Sequence, residues 1–469
     1  MTLAGTWGEG IFGSSDGISS PGVILFNLLD TITASISDAI AGAMESTTSA
    51  WAQGLVVDGI FGGLFAVLSF LPQILVLFMF FSIMEDSGYM ARVAFILDRI
   101  FRRFGLSGRA FMPMIMGFGC SIPAMINTRT LADDKERMAT IRVIPFFSCG
   151  AKLPILVAIA GGIVQFFGVG NSDAITYGMY ILGIAVAVIA VIVMRNTTMR
   201  GDTPPFIMEL PAYHAPQAKA LALHLWDKTK HFVKKAFTII LASTILIWFL
   251  LHFSWNWSYL PDEEMGSSIL AGIGQLIQPL FTPLGFGSQL GAYGWVFVVA
   301  AVMGLIAKEN VIAGFGTMAA VIMAATGGAY DAEADAEGIT AAAIMIEQTG
   351  ITVPALISFI AFNMTTIPCF AAVATAKAEL GSKKAFNNTL VFWLVTSYIV
   401  GTTVYLVGSW WWTVFIFLAL AAAAACGIVM FNRKRDAQAK LAAADGAEIS
   451  VGSAAADSGD DIPDANDKE

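Results

Sequence analysis

Long apolar tracts alternate with short polar joints along almost the whole chain. A membrane-spanning helix needs about 20 apolar residues. Tracts of that kind fill Ile60–Met84, Leu153–Val169, Ile175–Met194, Ala236–Phe253, Ile351–Ala376, Phe386–Val407 and Ser409–Phe431. Two further tracts are interrupted. Phe111–Ile126 is too short to span, contains Gly117, Gly119 and Pro123, and has Arg109 and Arg129 on its flanks. Gly291–Ala325 is broken by A-K-E-N at Ala307–Asn310, and its flanks carry no basic residue. Ala218–Lys235 reads as an amphipathic helix lying on the inner surface, and Pro21–Met44 as a weaker amphipathic segment on the outer one.

The cations orient these tracts. No lysine or arginine precedes Arg92. Those that follow form four clumps: Arg92 to Lys152, Arg195 to Lys235, Lys377 to Lys384, and Arg433 to Lys440. Cytoplasmic loops retain Lys and Arg, so the clumps mark the inner face. All four lie inside only if Gly291–Ala325 enters from the outer face and returns. Phe111–Ile126, flanked by arginines, then enters from the inner face. The expected fold is an all-α polytopic membrane protein of about seven transmembrane helices and two opposed re-entrant hairpins. Its N-terminus is outside and its C-terminus cytoplasmic. Each hairpin precedes a span bearing proline and cysteine, Pro145 with Cys149 and Pro368 with Cys369. That outline is an inverted repeat, in which broken helices build a site near the midplane. The expected divisions are an outer segment 1–53, a first half 54–200, a cytoplasmic loop 201–235, a second half 236–432, and a disordered acidic tail 433–469.

Composition narrows the class. Hydrophobic residues make up 57% and charged residues 13%, about half the charge of soluble domains. The net charge of −9 is largely local to the tail, and no basic surface for nucleic acid exists. Without a basic n-region the N-terminus is no secretory signal. Four widely spaced cysteines form no C-x-x-C pair and are expected as thiols. No H-E-x-x-H or other catalytic constellation lies in the spans, so an enzyme is not expected.

Six motifs occur in order: E-D-S-G-Y-M-A-R (Glu85–Arg92), G-F-G-C-S-I-P-A (Gly117–Ala124), P-F-F-S-C-G-A-K-L-P (Pro145–Pro154), P-P-F-I-M-E-L-P-A-Y-H (Pro204–His214), A-K-E-N (Ala307–Asn310) and I-P-C (Ile367–Cys369). From about Gly54 to Val407 the chain closely resembles the membrane portion of the ferrous-iron transport protein B (FeoB) family. It carries no G-x-x-x-x-G-K-[ST] phosphate loop, so the resemblance implies the gate without the family's G domain. A separate GTP-binding protein and a small accessory protein are then the implied partners, beside the bilayer and a second copy of the chain.

The resemblance implies an inner-membrane permease for ferrous iron, with Fe²⁺ as substrate and no permanently bound cofactor. It makes Gly117–Ala124 and Pro145–Cys149 a gate on the ion path. Ferrous iron accepts thiolate, carboxylate and thioether donors, so Cys120, Cys149 and Cys369 are the first candidate ligands. Each also reads as a small buried hydrophobe, and Cys426 reads only so. Glu85 and Asp86 are either ligands, since intramembrane charge is costly, or helix-end partners of Arg92 or Arg129. Glu309 is expected to face the path. Lys308 is expected to lock the second hairpin through Asp86 or a helix C-terminus. Gly117, Gly119, Ser121, Pro123, Pro145 and Pro368 complete the gate, with Pro123 expected to stop a helix and free its carbonyls. Asn310, Asn363, Thr365 and Thr366 serve as neutral ligands or in interhelical hydrogen bonds. Glu209 reads as a loop carboxylate, Met112, Met114, Met116 and Met125 as packing, and His214, His224, His231 and His252 as surface groups. The same architecture would also suit manganese, zinc or a nucleoside.

Overall fold

A computed structural model of the chain describes residues 50–168, 170–197, 213, 217–260, 266–291, 293–306, 308, 310–326, 330, 335, 338–423, 426–427 and 429–433, with seven isolated positions between 31 and 42. Among the described residues the structure is helical, with a single antiparallel bridge between Phe253 and Tyr259. The chain is an all-α membrane protein.

The first long helix, α1 (Gly62–Asp86), is uncharged until its last two residues. It stops at Gly88, whose φ of 75° is left-handed backbone that glycine adopts without steric cost. The chain turns there into α2 (Tyr89–Arg103). The first interrupted tract follows as two short helices packed on each other, α3 (Phe111–Gly119) and α4 (Ser121–Asn127).

The next helix starts earlier than its hydropathy predicts. Asp133 accepts hydrogen bonds from the amides of Lys135 and Glu136, which caps α5 (Asp134–Val143). Tight turns at Ile144–Phe146 and Gly150–Lys152 then lead into α6 (Leu153–Phe167). Together these residues form one candidate span, Asp134–Phe167. Arg142 and Lys152 were expected in an inner loop with the other cations; both are instead buried within this span. Each has internal acceptors that hydropathy cannot register.

Among the described residues two other helices are long and apolar enough to cross a membrane, α7 (Ser172–Thr197) and, near the C-terminal end, α15 (Lys383–Ser409). Between them lies α8 (Ala218–His252). Ala218–Lys235 was expected to lie apart on the membrane surface. It continues unbroken into the apolar half of α8, because no glycine or proline interrupts the 35 residues. The second interrupted tract follows α9 (Ile269–Ile277) and forms α10 (Trp295–Ile306) and α11 (Asn310–Thr326), packed side by side. A helix not foreseen, α12 (Ile339–Thr349), is bounded by glycines with left-handed backbone and packs along α6.

Ile351–Ala376, expected as one span, is two helices bent by 40°: α13 (Val353–Thr365) and α14 (Phe370–Leu380). The final long helix is α15 (Lys383–Ser409), packed along α13. The expected last span, Ser409–Phe431, starts after a turn at Trp410–Trp412, and its described part includes the apolar helix α16 (Thr413–Ala423).

Two buried cores hold the helices together. One joins α6 with α9–α13 through edge-to-face phenylalanines such as Phe297 and Phe359, 5.4 Å apart. The other surrounds the break in Asp134–Phe167 with residues of α3, α4, α7, α14 and α15.

Candidate functional site

Four interruptions fall at the motif positions: Cys120, the stretch 144–152, the junction around Lys308, and Thr366–Cys369. At the first, Cys120 has extended backbone (φ −155°, ψ 130°) between α3 and α4. A Cβ on Gly117 would stand 3.3 Å from the Phe147 side chain, and one on Gly119 would meet Leu77 at 2.5 Å. These glycines let α3 approach both α1 and the second interruption. The rings of Phe118 and Phe147 pack edge-to-face at 5.0 Å. Ser121 is buried at the start of α4. Pro123 does not stop a helix. It sits in the first turn of α4, where a missing N–H breaks no helical bond. The helix break precedes it.

The second and fourth interruptions are joined by one side chain. Lys152 is buried, and its Nζ donates to the Pro145 carbonyl at 2.6 Å and the Met364 carbonyl at 2.5 Å. Lys308 is also buried, and its Nζ donates to the Asn363 carbonyl. Asn363 and Met364 lie in the last turn of α13, where carbonyls lack helical partners and carry partial negative charge. Two lysines from separate elements thus cap adjacent carbonyls of one helix. Of the two partners expected for Lys308, the helix C-terminus is the one observed.

Cys149 and Cys369 both lie within electrostatic reach of the Lys152 ammonium. Cys369 immediately precedes α14, three residues after the bend at Thr366 and next to Pro368. Cys120 and Cys369 pack against the same core, and α4 packs on α14. These three thiols are half-buried, whereas Cys426 is exposed. Beside them, Ser148 Oγ, Asn363 Oδ1 and Thr366 Oγ1 are buried without a hydrogen-bond partner. Such oxygens are uncommon in native interiors. Among the described residues, no three His, Cys, Asp or Glu side chains stand close enough to hold a metal ion.

Asn363 Nδ2 donates to Phe359 and Thr365 Oγ1 to Ala361, both inside α13. These bonds are within the helix rather than between helices, since the carbonyl four residues back is the nearest acceptor. Glu85 is exposed and Asp86 half-buried at the end of α1. Glu309, Glu209 and His214 lie outside the described residues, as do the side chains of Asn310, His224 and His231. His252 is buried rather than superficial: its Nδ1 is 2.9 Å from the Trp248 carbonyl, and its ring stacks between Trp248 and Tyr259.

Arg129 has a different partner from the one its position suggests. The buried Glu379, at the end of α14, accepts from Arg129 at 2.6 Å and from Arg137 at 2.8 Å. Arg137 also donates to the Glu379 backbone carbonyl at 2.8 Å. The carboxylate holds the Arg129 guanidinium above its already high pKa. In the next turn of α5, Arg142 Nε donates to Thr389 Oγ1 at 3.0 Å, and Trp393 Nε1 donates to the Arg142 carbonyl at 2.7 Å. Sequence reasoning missed the roles of Lys152 and Glu379. Lys152 resembled a loop cation, and Glu379 sits within the clump from Lys377 to Lys384. The only signal for Lys152 was its place inside the P-F-F-S-C-G-A-K-L-P motif.

Residues 67–163 and 233–383 match the Gate family, described as nucleoside recognition. Residues 176–228 match the family of the ferrous iron transport protein B C terminus. The chain belongs to the ferrous-iron transport protein B family, as its membrane portion. It is similar to the Fe(2+) transporter FeoB of Staphylococcus aureus (strain MSSA476), 35% identical over 356 residues, covering 76% of this chain and 49% of the relative. The FeoB of Campylobacter jejuni is 37% identical over 350 residues, 74% of this chain and 54% of its own length. A Fe(2+) transport protein A/Fe(2+) transporter FeoB fusion protein of Porphyromonas gingivalis is 32% identical over 398 residues, 76% of this chain and 44% of the relative. The chain thus spans about half the length of these FeoB relatives. No solved structure matches it.

Proposed function

We propose that the chain forms a membrane path through which ferrous iron enters the cytoplasm. The observation that carries this reading is the meeting of two broken spans at Lys152, with Cys149 and Cys369 beside it. Irregular backbone at membrane depth persists only where protein or a water-filled cavity surrounds it. The thiols at these breaks are donors that Fe²⁺ accepts. Cys120, Cys149 and Cys369 would bind the ion in passing. Ser148, Asn363 and Thr366 would add oxygen contacts, and Glu309 a carboxylate. The scattered placement of the thiols suits brief handovers between weak sites rather than one tight one.

In this reading α3–α4 and α10–α11 are re-entrant hairpins entering from opposite faces of the inner membrane, and Lys308 anchors the second of them. The halves form an inverted repeat, with the N-terminus outside and the C-terminus inside. Partners include a GTP-binding protein. A small accessory protein is supported by the fusion of Fe(2+) transport protein A to the Porphyromonas relative. A second reading, in which the same path takes a nucleoside, is favoured by the description of the Gate family. Sulfur donors at three of the breaks favour a metal ion over it.

Uptake of labelled Fe²⁺ by proteoliposomes of the purified chain, with and without GTP and a G protein, tests the proposal. Cys120→Ala is expected to lower uptake at least tenfold while leaving membrane insertion intact. Equal uptake by both proteins would sink the thiol path. Preferential uptake of labelled uridine would establish the nucleoside reading instead.

A further inference from the structure

The helix α2 presents two parallel rows to its surroundings. Tyr89, Ile96 and Ile100 form one, with exposures of 50%, 70% and 51%. Arg99 and Arg103 form the other, each three residues after its apolar counterpart, with the half-buried Arg92 at its start. Residues three apart on a helix lie about 60° apart around its axis, so the cationic row borders the apolar one along its whole length. Arg99 and Arg103 are exposed, and the Arg92 guanidinium sits 3.4 Å from the centre of the Tyr213 ring. The opposite face packs inward through the buried Met90 and Ala94.

Two features fix this helix relative to the gate. The left-handed Gly88 separates it from α1, so it does not continue that span. At its far end, Asp98 accepts from the Gly108 amide at 2.7 Å and from Arg102 Nε at 2.6 Å. A Cβ on Gly108 would collide with the Ala94 carbonyl, so the entry to the first hairpin is pressed directly onto α2.

We propose that α2 lies in the headgroup plane of the membrane and that its arginine row binds the phosphates of acidic phospholipids. The apolar row would enter the acyl boundary, as interfacial helices of this pattern do. Charge complementarity selects this occupant. A second protein copy would satisfy Ile96 and Ile100 but would have to bring matching carboxylates to the arginines. The contact would place lipid charge at the root of α3, independently of which ion the path carries.

The full chain in neutral detergent is titrated with fluorescent short-chain phosphatidylglycerol and, separately, with phosphatidylcholine of the same chain length. Each cation near an acidic surface contributes roughly fivefold in affinity. Arg99→Gln with Arg103→Gln is therefore expected to weaken phosphatidylglycerol binding about 25-fold and leave phosphatidylcholine binding unchanged. Arg99→Lys with Arg103→Lys is expected to retain the preference, which separates loss of charge from misfolding. Inorganic phosphate is expected not to compete. Undiminished phosphatidylglycerol binding by the Gln variant would overturn the proposal. So would competition by free phosphate, or a chain dimer that dissociates on Ile96→Ser while lipid preference persists.

Discussion

Lys152 and Lys308 show what a buried charged side chain requires. Each is buried, and each satisfies its ammonium with carbonyls that helix geometry leaves vacant. Removing the Lys152 side chain would leave the Pro145 and Met364 carbonyls unpaired in the interior. A buried acceptor without its donor costs about 1–3 kcal/mol. Lys152→Met is therefore expected to lower the thermal unfolding midpoint measurably in detergent and to reduce Fe²⁺ uptake. A midpoint equal to that of the parent chain would show that Lys152 does not clamp the breaks. At the Ser148, Asn363 and Thr366 oxygens the expectation is opposite in kind. Thr366→Val removes an oxygen with no protein partner, so the variant should keep its stability and lose uptake. Unchanged transport in Thr366→Val would remove that oxygen from the path.

Among the elements, the pair α4 and α14 has the clearest mechanical logic. Each begins at a thiol, Cys120 or Cys369, and they pack on each other. Past the end of α4 is Arg129, which meets Glu379 at the end of α14. Breaking a fully buried ion pair costs about 3–5 kcal/mol; here only the carboxylate is buried, and Arg137 is half-buried. Arg129 is largely exposed, so its share is smaller. Glu379→Gln should destabilise the chain and increase the reactivity of Cys120 and Cys369 toward a water-soluble maleimide. Unaltered labelling rates would show that the ion pairs do not set the thiol positions. The folded pKa of Arg129 is raised, so its contribution is present below the unfolded pKa and lost only as pH rises through the folded one. Both lie above the working range of the protein. From the arginine side, the contact should therefore be insensitive to pH between neutrality and moderate alkalinity.

At the level of the whole molecule, the proposed inverted repeat demands that the two hairpins enter from opposite sides. Lys230 precedes the apolar half of α8, and Tyr330 follows α11. With single cysteines at these positions in a background lacking the native ones, an impermeant thiol reagent is expected to label residue 330 in intact cells. Residue 230 should react only after permeabilisation. Labelling of both from one side would contradict the repeat and the conduit built on it.

The amino-acid order by itself determined the helical class, most of the long apolar elements and two of the four interruptions, those at Cys120 and around Lys308. Each follows from local physics: apolar length, helix-breaking glycine and proline, and the distribution of cations. The same physics misread Ala218–Lys235, where amphipathicity suggested a separate helix although nothing in the backbone required a break. It also missed α12, whose small residues resemble a loop. Tertiary structure alone decided which buried groups are paired. Lys152 meets a carbonyl 212 residues away, and Arg129 a carboxylate 250 residues away. No periodicity encodes such partners, because they are selected by which helix ends and interior surfaces come together when the chain packs.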